Sequence, residues 1–481
     1  KLSQILFNIS VAPNNTAQDA ISMLAKTTSI QDKTFLRGSS AELGVKPLKH
    51  VDPKVDLSTV VARCIYEGHW REELCVLYTR ESQHIAFYAP LSKKPRLVIS
   101  LEEILSARKC EMDTEQSPLP GLYTLAIDAA WKCHYLAFLE ESHRDNFLER
   151  LNDALFYLYN ESHPNQAPKV AQDFERYRMS LENVLTGEAG KWCAVSTGTK
   201  SKQKKQRRIL NGRRMAFDLI PVTAEVLGEG DAQKKIASYV ENLLKMALSF
   251  SPDTVLDASD TRFIEFLDQT SRLRMLPLHD IDRDSKDALC IFVNLYHCLL
   301  QHSLLLALDG LPNKRSVMQF KRSSCYEIGE DVFSLAELEC CVIRGKTSRP
   351  SHPKPPFVDA PKKSMPYQMM YGLGATDFRI NFILNNGDMA SLSEIPVFQQ
   401  QIMDDQIDVA ASCFLADQVK IDKRKKTVFL PKVCDVYRND FGMGDGLVCL
   451  SQCLIYLEDS DQLAIASLLE DGMVSVKFHE C

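Results

Sequence analysis

The sequence predicts an α+β multidomain protein, with a β-rich block closed by a helix followed by a larger mixed domain. Three observations carry this. Residues 56–160 fall into short β-rich runs separated by turns or charges. That block ends on "HRDNFLERLNDALFYLYN", where Phe147, Leu151, Ala154, Leu155 and Leu158 hold helical spacing. From about Ala216 onward, long helical patterns alternate with short strand-like runs. A length of 481 residues suits two or three such domains.

Composition narrows the function classes. Hydrophobic residues at 45% and charged residues at 25% are those of ordinary globular protein. A net charge of −6 argues against a general nucleic-acid binder, whose affinity would rest on a basic surface. The fifteen cysteines contain no C-x-x-C pair; Cys340 and Cys341 are adjacent, and Cys449 and Cys453 lie one helical turn apart. This pattern reads as free buried thiols in a reducing compartment, with no metal site and no cofactor. No basic-then-apolar signal segment opens the sequence as given, and with the free thiols this leads to the expectation of a cytoplasmic location.

Residues 1–55 are mixed in character and read as an N-terminal extension. In the next block the strand runs are "LSTVVARCIYEGHW", "EELCVLYTR", "HIAFYAP", "RLVISL", "GLYTLAIDAA" and "KCHYLAFLEES". About seven strands and one C-terminal helix in this span resemble a pleckstrin-homology domain. The resemblance implies a β-barrel capped by the helix, and a role in docking proteins or membrane. Members that bind phosphoinositides carry alternating Lys or Arg across the first hairpin. Here that stretch is His69-Trp70-Arg71-Glu72-Glu73, and the two carboxylates oppose phosphate at close range. Arg63, His69, Arg71, Lys93 and Lys94 remain as a weaker basic rim.

Residues 161–215 read as a linker with a basic run: Lys200, Lys202, Lys204, Lys205, Arg207, Arg208, Arg213 and Arg214. An exposed run of this kind is able to touch anionic lipid, at about 1 kcal/mol per cation, to act as a nuclear signal, or to serve only as a solvated connection. Residues 216–481 then form one domain. It opens on "DAQKKIASYVENLLKMALSF", an amphipathic helix with Ile236, Tyr239, Val240, Leu243, Leu244 and Ala247 on one stripe. "ALCIFVNLYHCLLQHSLLLAL" is long and apolar enough to span a bilayer. Its stripe of Asn294, His297 and Gln301 instead marks a core helix that meets internal polar partners.

From about residue 260 a series of motifs follows in fixed order: "TRFIEFLDQTSRLRMLPL", "DALCIFVNLYHCLLQHSLL", "CYEIGEDVFSLAELECCVIRG", "TDFRINFILNNG", "LPKVCDVYRNDFG" and "SVKFHEC". This order resembles the family named domain of unknown function 547. It singles out Asn294, Tyr296, Arg344, Arg379, Asn381, Gly387 and Asp440. "SLAELECCVIR" reads as a helix with Ser334 and Glu337 as a capping box, and "LPKVCDVYRNDFG" as a helix-to-turn with an internal ion pair. In "TDFRINFILNNGDMAS", Ile380 to Leu384 read as a strand entering a tight turn. The family's motif has His where Asn381 stands, Cys at Asn386 and Ser-Cys near Ala390-Ser391. A thiol–imidazole pair is a nucleophile and its base, and this chain lacks both.

Two functions are therefore weighed. The first is a non-catalytic adaptor or scaffold with a protein partner and peripheral contact with anionic membrane. The second is a hydrolase or transferase with a Ser or Cys nucleophile. Its site would be Ser391, with His302 or His297 as base and Asp377 orienting the imidazole.

Overall fold

The computed structural model describes residues 57–161 and 207–479, apart from short segments of which 111–122, 220–231, 253–259, 307–315, 348–358 and 385–394 are the longest. Helix and strand are mixed, as expected. The helices are α1 (Glu141–Glu161), α2 (Ala232–Leu248), α3 (Thr261–Ser271), α4 (Lys286–Leu305), α5 (Val317–Ser323), α6 (Leu335–Glu337, continued by the π-helical Leu338–Ile343), α7 (Met365–Tyr371), α8 (Ile380–Ile383), α9 (Met403–Gln418), α10 (Lys432–Val436), α11 (Gly446–Leu454) and α12 (Asp459–Glu470). Two compact units separate.

The first unit contains seven strands: β1 (Leu57–Tyr66), β2 (His69–Tyr78), β3 (His84–Tyr88), β4 (Pro95–Ser100), β5 (Ile104–Cys110), β6 (Tyr123–Ala129) and β7 (Cys133–Phe138). They form one antiparallel sheet in the order β4-β3-β2-β1-β7-β6-β5, so β4 and β5 are its edges among the described residues. A closed barrel was the expectation, and this order corrects it. Only Leu101–Glu103 separates the two edge strands in sequence. Three residues reach about 10 Å at most, so the sheet curls until its edges approach without pairing. Pro95 opens β4 and cannot donate to a ladder, while β5 is bulged between Ile104 and Ser106. β5 also escaped the sequence runs, because an edge strand buries only its ends, here Ile104 and Cys110. Helix α1 packs against β5, β6 and β7. Its Phe147, Leu151 and Ala154 join Leu77, Ile85, Phe87, Leu125, Ile127, Leu136 and Phe138 in one core. Residues Gly212–Leu219 and α3 also belong to this unit.

The second unit is built around α4. Of its most apolar stretch 94% is buried, so it is a core helix of the unit. Ser285 caps it by accepting the Ala288 N–H. Helix α2 packs on it, burying Ile236, Val240, Leu243, Leu244 and Ala247. The polar stripe meets the internal partners expected of it. The Asn294 side-chain amide donates to the Phe398 carbonyl at 2.8 Å, and its oxygen accepts the Phe398 N–H at 3.0 Å. The Gln301 amide donates to the Phe250 carbonyl at 2.9 Å. Asn294→Leu orphans the Phe398 N–H and leaves its carbonyl only the weak Cys290 thiol donor at 3.4 Å, and is expected to cost about 1–3 kcal/mol, read as a lower urea midpoint. Short sheets flank this axis. β8 (Arg208–Ile209) runs parallel to β9 (Ser324–Ile328), which pairs with β10 (Asp331–Ser334). β12 (Thr427–Pro431) lies between β11 (Lys420–Asp422) and β13 (Ser475–His479).

Ile380–Ile383 is a helical turn, not the expected strand. Its four residues are all buried, so no periodicity distinguished the two. The turn starts where Asp377 accepts the Arg379 N–H at 2.9 Å.

Candidate functional site

The capping box of α6 forms as the sequence predicts. Ser334 accepts the Glu337 N–H and Glu337 accepts the Ser334 N–H. The helix then widens into a π-helix over Leu338–Ile343, a rare geometry that recurs at functional sites. This segment aims Glu339 into the interior, where it is 1% exposed.

Glu339 is the centre of a buried charge cluster. The Lys321 ammonium of α5 donates to it at 3.1 Å, and the Tyr437 hydroxyl donates at 3.1 Å. The Arg344 guanidinium lies 3.6 Å from Glu339 and 3.3 Å from Asp440, and donates to the Asn381 side-chain oxygen at 2.9 Å. It also sits 3.7 Å over the Tyr437 ring. Asn381 in turn donates to Asp440 at 3.2 Å. Tyr296 presents its ring to the Lys321 ammonium at 5.9 Å. Two cations thus face two carboxylates, and the cluster is neutral. Burial disfavours the Glu339 charge, but Lys321 and Arg344 hold its carboxyl below the usual range. Burial likewise opposes the Lys321 charge, and Glu339 more than offsets it, so its pKa is raised.

Arg344, Asn381, Asp440 and Tyr296, singled out separately in the sequence, are therefore brought together. Asn294 lies on the same helix as Tyr296 but serves Phe398. Arg379 stands in a second, more exposed cluster: it bonds Asp377 and Asp408 at 2.6 Å each and Asp404 at 3.4 Å. The ion pair expected in "DVYRND" forms between Arg438 and Asp435 at 2.7 Å, whereas Asp440 turns to Arg344.

The proposed catalytic residues fare differently. Ser391 and Gly387 lie outside the described residues. His297 and His302 are both 0% exposed. Burial pushes each imidazole down to about 3, opposed at His297 by a hydrogen bond with the Ile383 backbone. His302 Nδ1 shares a hydrogen bond with the Tyr326 hydroxyl at 2.9 Å, and His297 stacks on Phe398. Asp377 is engaged by Arg379, not by either imidazole. Among the described residues the two imidazoles are thus buried and Asp377 serves an arginine, while the place of Ser391 lies outside them.

The basic run divides. Lys200, Lys202, Lys204 and Lys205 lie outside the described residues. Arg208 is exposed on β8. The other three are inward, which corrects their reading as lipid-facing cations. Arg207 is 7% exposed, bonds Glu337 at 3.2 Å and donates to the Val332 carbonyl at 2.9 Å. Within the first unit Arg213, 1% exposed, binds Asp128 and Asp268 and donates to the Ala130 carbonyl at 3.0 Å. Arg214 bonds Asp268 at 2.7 Å and Asp128 at 2.9 Å. A linear run of charge carries no signal of which cations find buried acids far along the chain.

The first hairpin also turns its charge inward. Arg63 is 2% exposed and donates to Glu73 at 2.7 Å; Arg71 and Arg96 pair with the same carboxylate at 2.9 and 3.5 Å. Lys93 and Lys94 stay exposed. Arg63 is thus withdrawn from the basic rim, whereas Arg71 pairs with Glu73 and keeps 41% of its side chain exposed.

One group of metal-ligating side chains occurs among the described residues: Cys434, Cys449 and Cys453, all buried, with sulfurs within 4.8 Å of one another. The helical spacing of Cys449 and Cys453 was visible in the sequence. Cys434, which arrives from α10, was not.

A family described as a protein of unknown function, DUF547, matches residues 282–415. The match includes the motifs from Asn294 to Gly387 and stops short of Asp440 and the C-terminal motifs. Two human solution structures are similar to the chain toward its N-terminus. One is the N-terminal PH domain of ARAP2 protein, 15% identical, covering 25% of this chain and 92% of that one at a TM-score of 0.18. The other is the C-terminal PH domain of FYVE, RhoGEF and PH domain containing protein 3 (FGD3), 20% identical, covering 24% and 96% at a TM-score of 0.17. No curated protein matches the chain.

Proposed function

We propose that this protein is a non-catalytic adaptor, which docks a protein partner through its β-rich first unit and touches anionic membrane only peripherally. The observation that carries this reading is the internal use of charge in the C-terminal unit. Lys321, Glu339, Arg344 and Asp440 neutralise one another inside it, and its two core imidazoles are sealed. A general base is most effective with a pKa near the working pH, and imidazoles held near 3 are far from that.

The same logic limits the lipid contribution. Three of the eight cations in the basic run are spent on protein carboxylates, leaving about five at roughly 1 kcal/mol each near a charged leaflet. Glu73 engages Arg63, Arg71 and Arg96, so part of the charge of the first hairpin is used within the protein. Cosedimentation of the full chain with vesicles tests this. Phosphatidylserine and phosphoinositide vesicles of equal surface charge should bind it equally and weakly. That binding should fall with salt and vanish when residues 200–205 are deleted. Tight phosphoinositide-selective binding that survives the deletion would overturn the reading. So would a turnover abolished by Ser391→Ala in a folded chain.

A further inference from the structure

We propose that Cys434, Cys449 and Cys453 form a three-thiolate site for one thiophilic metal ion. The three side chains come from two elements fixed against each other. Cys449 and Cys453 lie one turn apart on α11, and residues four apart share a helix face. Cys434 is presented by α10, directly after β12. β13 holds the arrangement from the other side: a Cβ on Gly446, at the start of α11, would come within 3.2 Å of Val476, so glycine permits the close approach. The three residues are 0–1% exposed within one core cluster that also contains Leu430, Val433, Tyr437, Phe441 and Leu450.

The sulfur spacing fits the chemistry. Sulfurs around a zinc ion at 2.3 Å in tetrahedral geometry stand about 3.8 Å apart. All three pairs here lie within 4.8 Å, so an ion draws them together by about 1 Å at most. Soft thiolates select zinc and copper(I) over hard cations.

Charge balance favours the divalent ion. Zinc with three thiolates carries one net negative charge. Beside it, Lys432 and Arg438 share Asp435 at 2.5 and 2.7 Å and together carry one net positive charge. Copper(I) would leave a second negative charge in an apolar core, at greater cost. Binding takes the thiol protons off and makes no redox step.

The test uses the full chain, produced in medium supplemented with zinc or, in a second arm, copper, and purified under reducing conditions. Elemental analysis should find one equivalent of metal per chain, held through gel filtration. Reduced, metal-stripped protein given Co²⁺ should show a thiolate-to-cobalt charge-transfer band that Zn²⁺ abolishes. Cys453→Ser and Cys434→Ser should each lower stoichiometry at least tenfold. Cys413→Ser, at an exposed cysteine, should leave it unchanged. Circular dichroism of each variant separates lost binding from lost fold. The two arms tell which ion is preferred. Failure of the wild-type chain to retain either metal overturns the proposal, whatever the variants do, and so does metal content unchanged in a folded Cys434→Ser chain. Recovery of two of the three thiols as a disulfide with no metal bound also overturns it.

Discussion

Glu339→Gln is expected to destabilise the C-terminal unit by about 3–5 kcal/mol, the usual cost of removing one partner from a buried ion pair. The amide keeps the shape but not the charge. Lys321 and Arg344, 0% and 3% exposed, would then face Asp440 as the one remaining carboxylate of the cluster. Neither cation is able to recover water without opening α5 or the π-helical segment. The measurement is the urea midpoint of the unit, followed by hydrogen exchange across Lys286–Leu305. A double variant sharpens it. Lys321→Met with Glu339→Gln removes one charge of each sign, so most of the loss should return. The coupling in the double-mutant cycle should reach about 2–3 kcal/mol. A loss under 1 kcal/mol for Glu339→Gln alone would mean that the carboxylate is solvated or mobile, and the self-neutralised cluster would not stand. The signs of the pKa shifts add a pH condition. The depressed Glu339 carboxyl contributes stability that is present above its ordinary range and lost as pH falls through its folded value. The raised Lys321 pKa contributes stability that is present below the ordinary lysine range and lost at higher pH. Between those limits the pair should be pH-independent.

What the sequence made legible was the local part of this architecture. The spacing of Phe147, Leu151 and Ala154 places them on the buried face of α1, and the polar stripe on α4 distinguishes a core helix from a membrane span. Ser334 and Glu337 stand three positions apart in one motif, and their capping box follows from chemistry within reach of the chain. The illegible part was every pairing at long range. Arg207 and Arg213 look like members of one solvated run, yet their partners Glu337 and Asp128 lie 130 and 85 residues away. Arg344 stands at the end of its own helix, where a cation is favoured, yet it reaches Asn381, Tyr437 and Asp440 far along the chain. The third thiol beside Cys449 and Cys453 was hidden for the same reason. Apolar periodicity also fails where all sides are buried, as at Ile380–Ile383, because a short apolar run fits strand and helix alike.

Lowering the pH from 7 to 5 is expected to cost the C-terminal unit about 4 kcal/mol through His297 and His302 alone. Both are fully buried, and burial holds each near 3 in the folded chain, against an unfolded value of about 6.5. The sign follows from proton counts. Between pH 3 and 6.5 the unfolded chain binds a proton at each histidine and the folded chain does not, so stability rises with pH. Their contribution is therefore complete above about 6.5 and is lost as pH falls toward 3. At pH 5 each histidine lies about 1.5 units below its unfolded value, which is about 2 kcal/mol per group. His279 is 84% exposed, so it serves as a surface control. His297→Asn and His302→Gln should each remove about half of the difference between the pH 7 and pH 5 urea midpoints, whatever they do to stability at pH 7. His279→Gln should leave the difference intact. The same measurement bears on function. An imidazole that resists protonation to pH 3 is a poor proton acceptor at neutral pH. If the slope is missing, the two rings exchange protons with solvent in the folded chain, and a general base in this unit becomes chemically reasonable again. If it is present and divides between the two variants, the histidines belong to the core and neither serves as a general base at neutral pH.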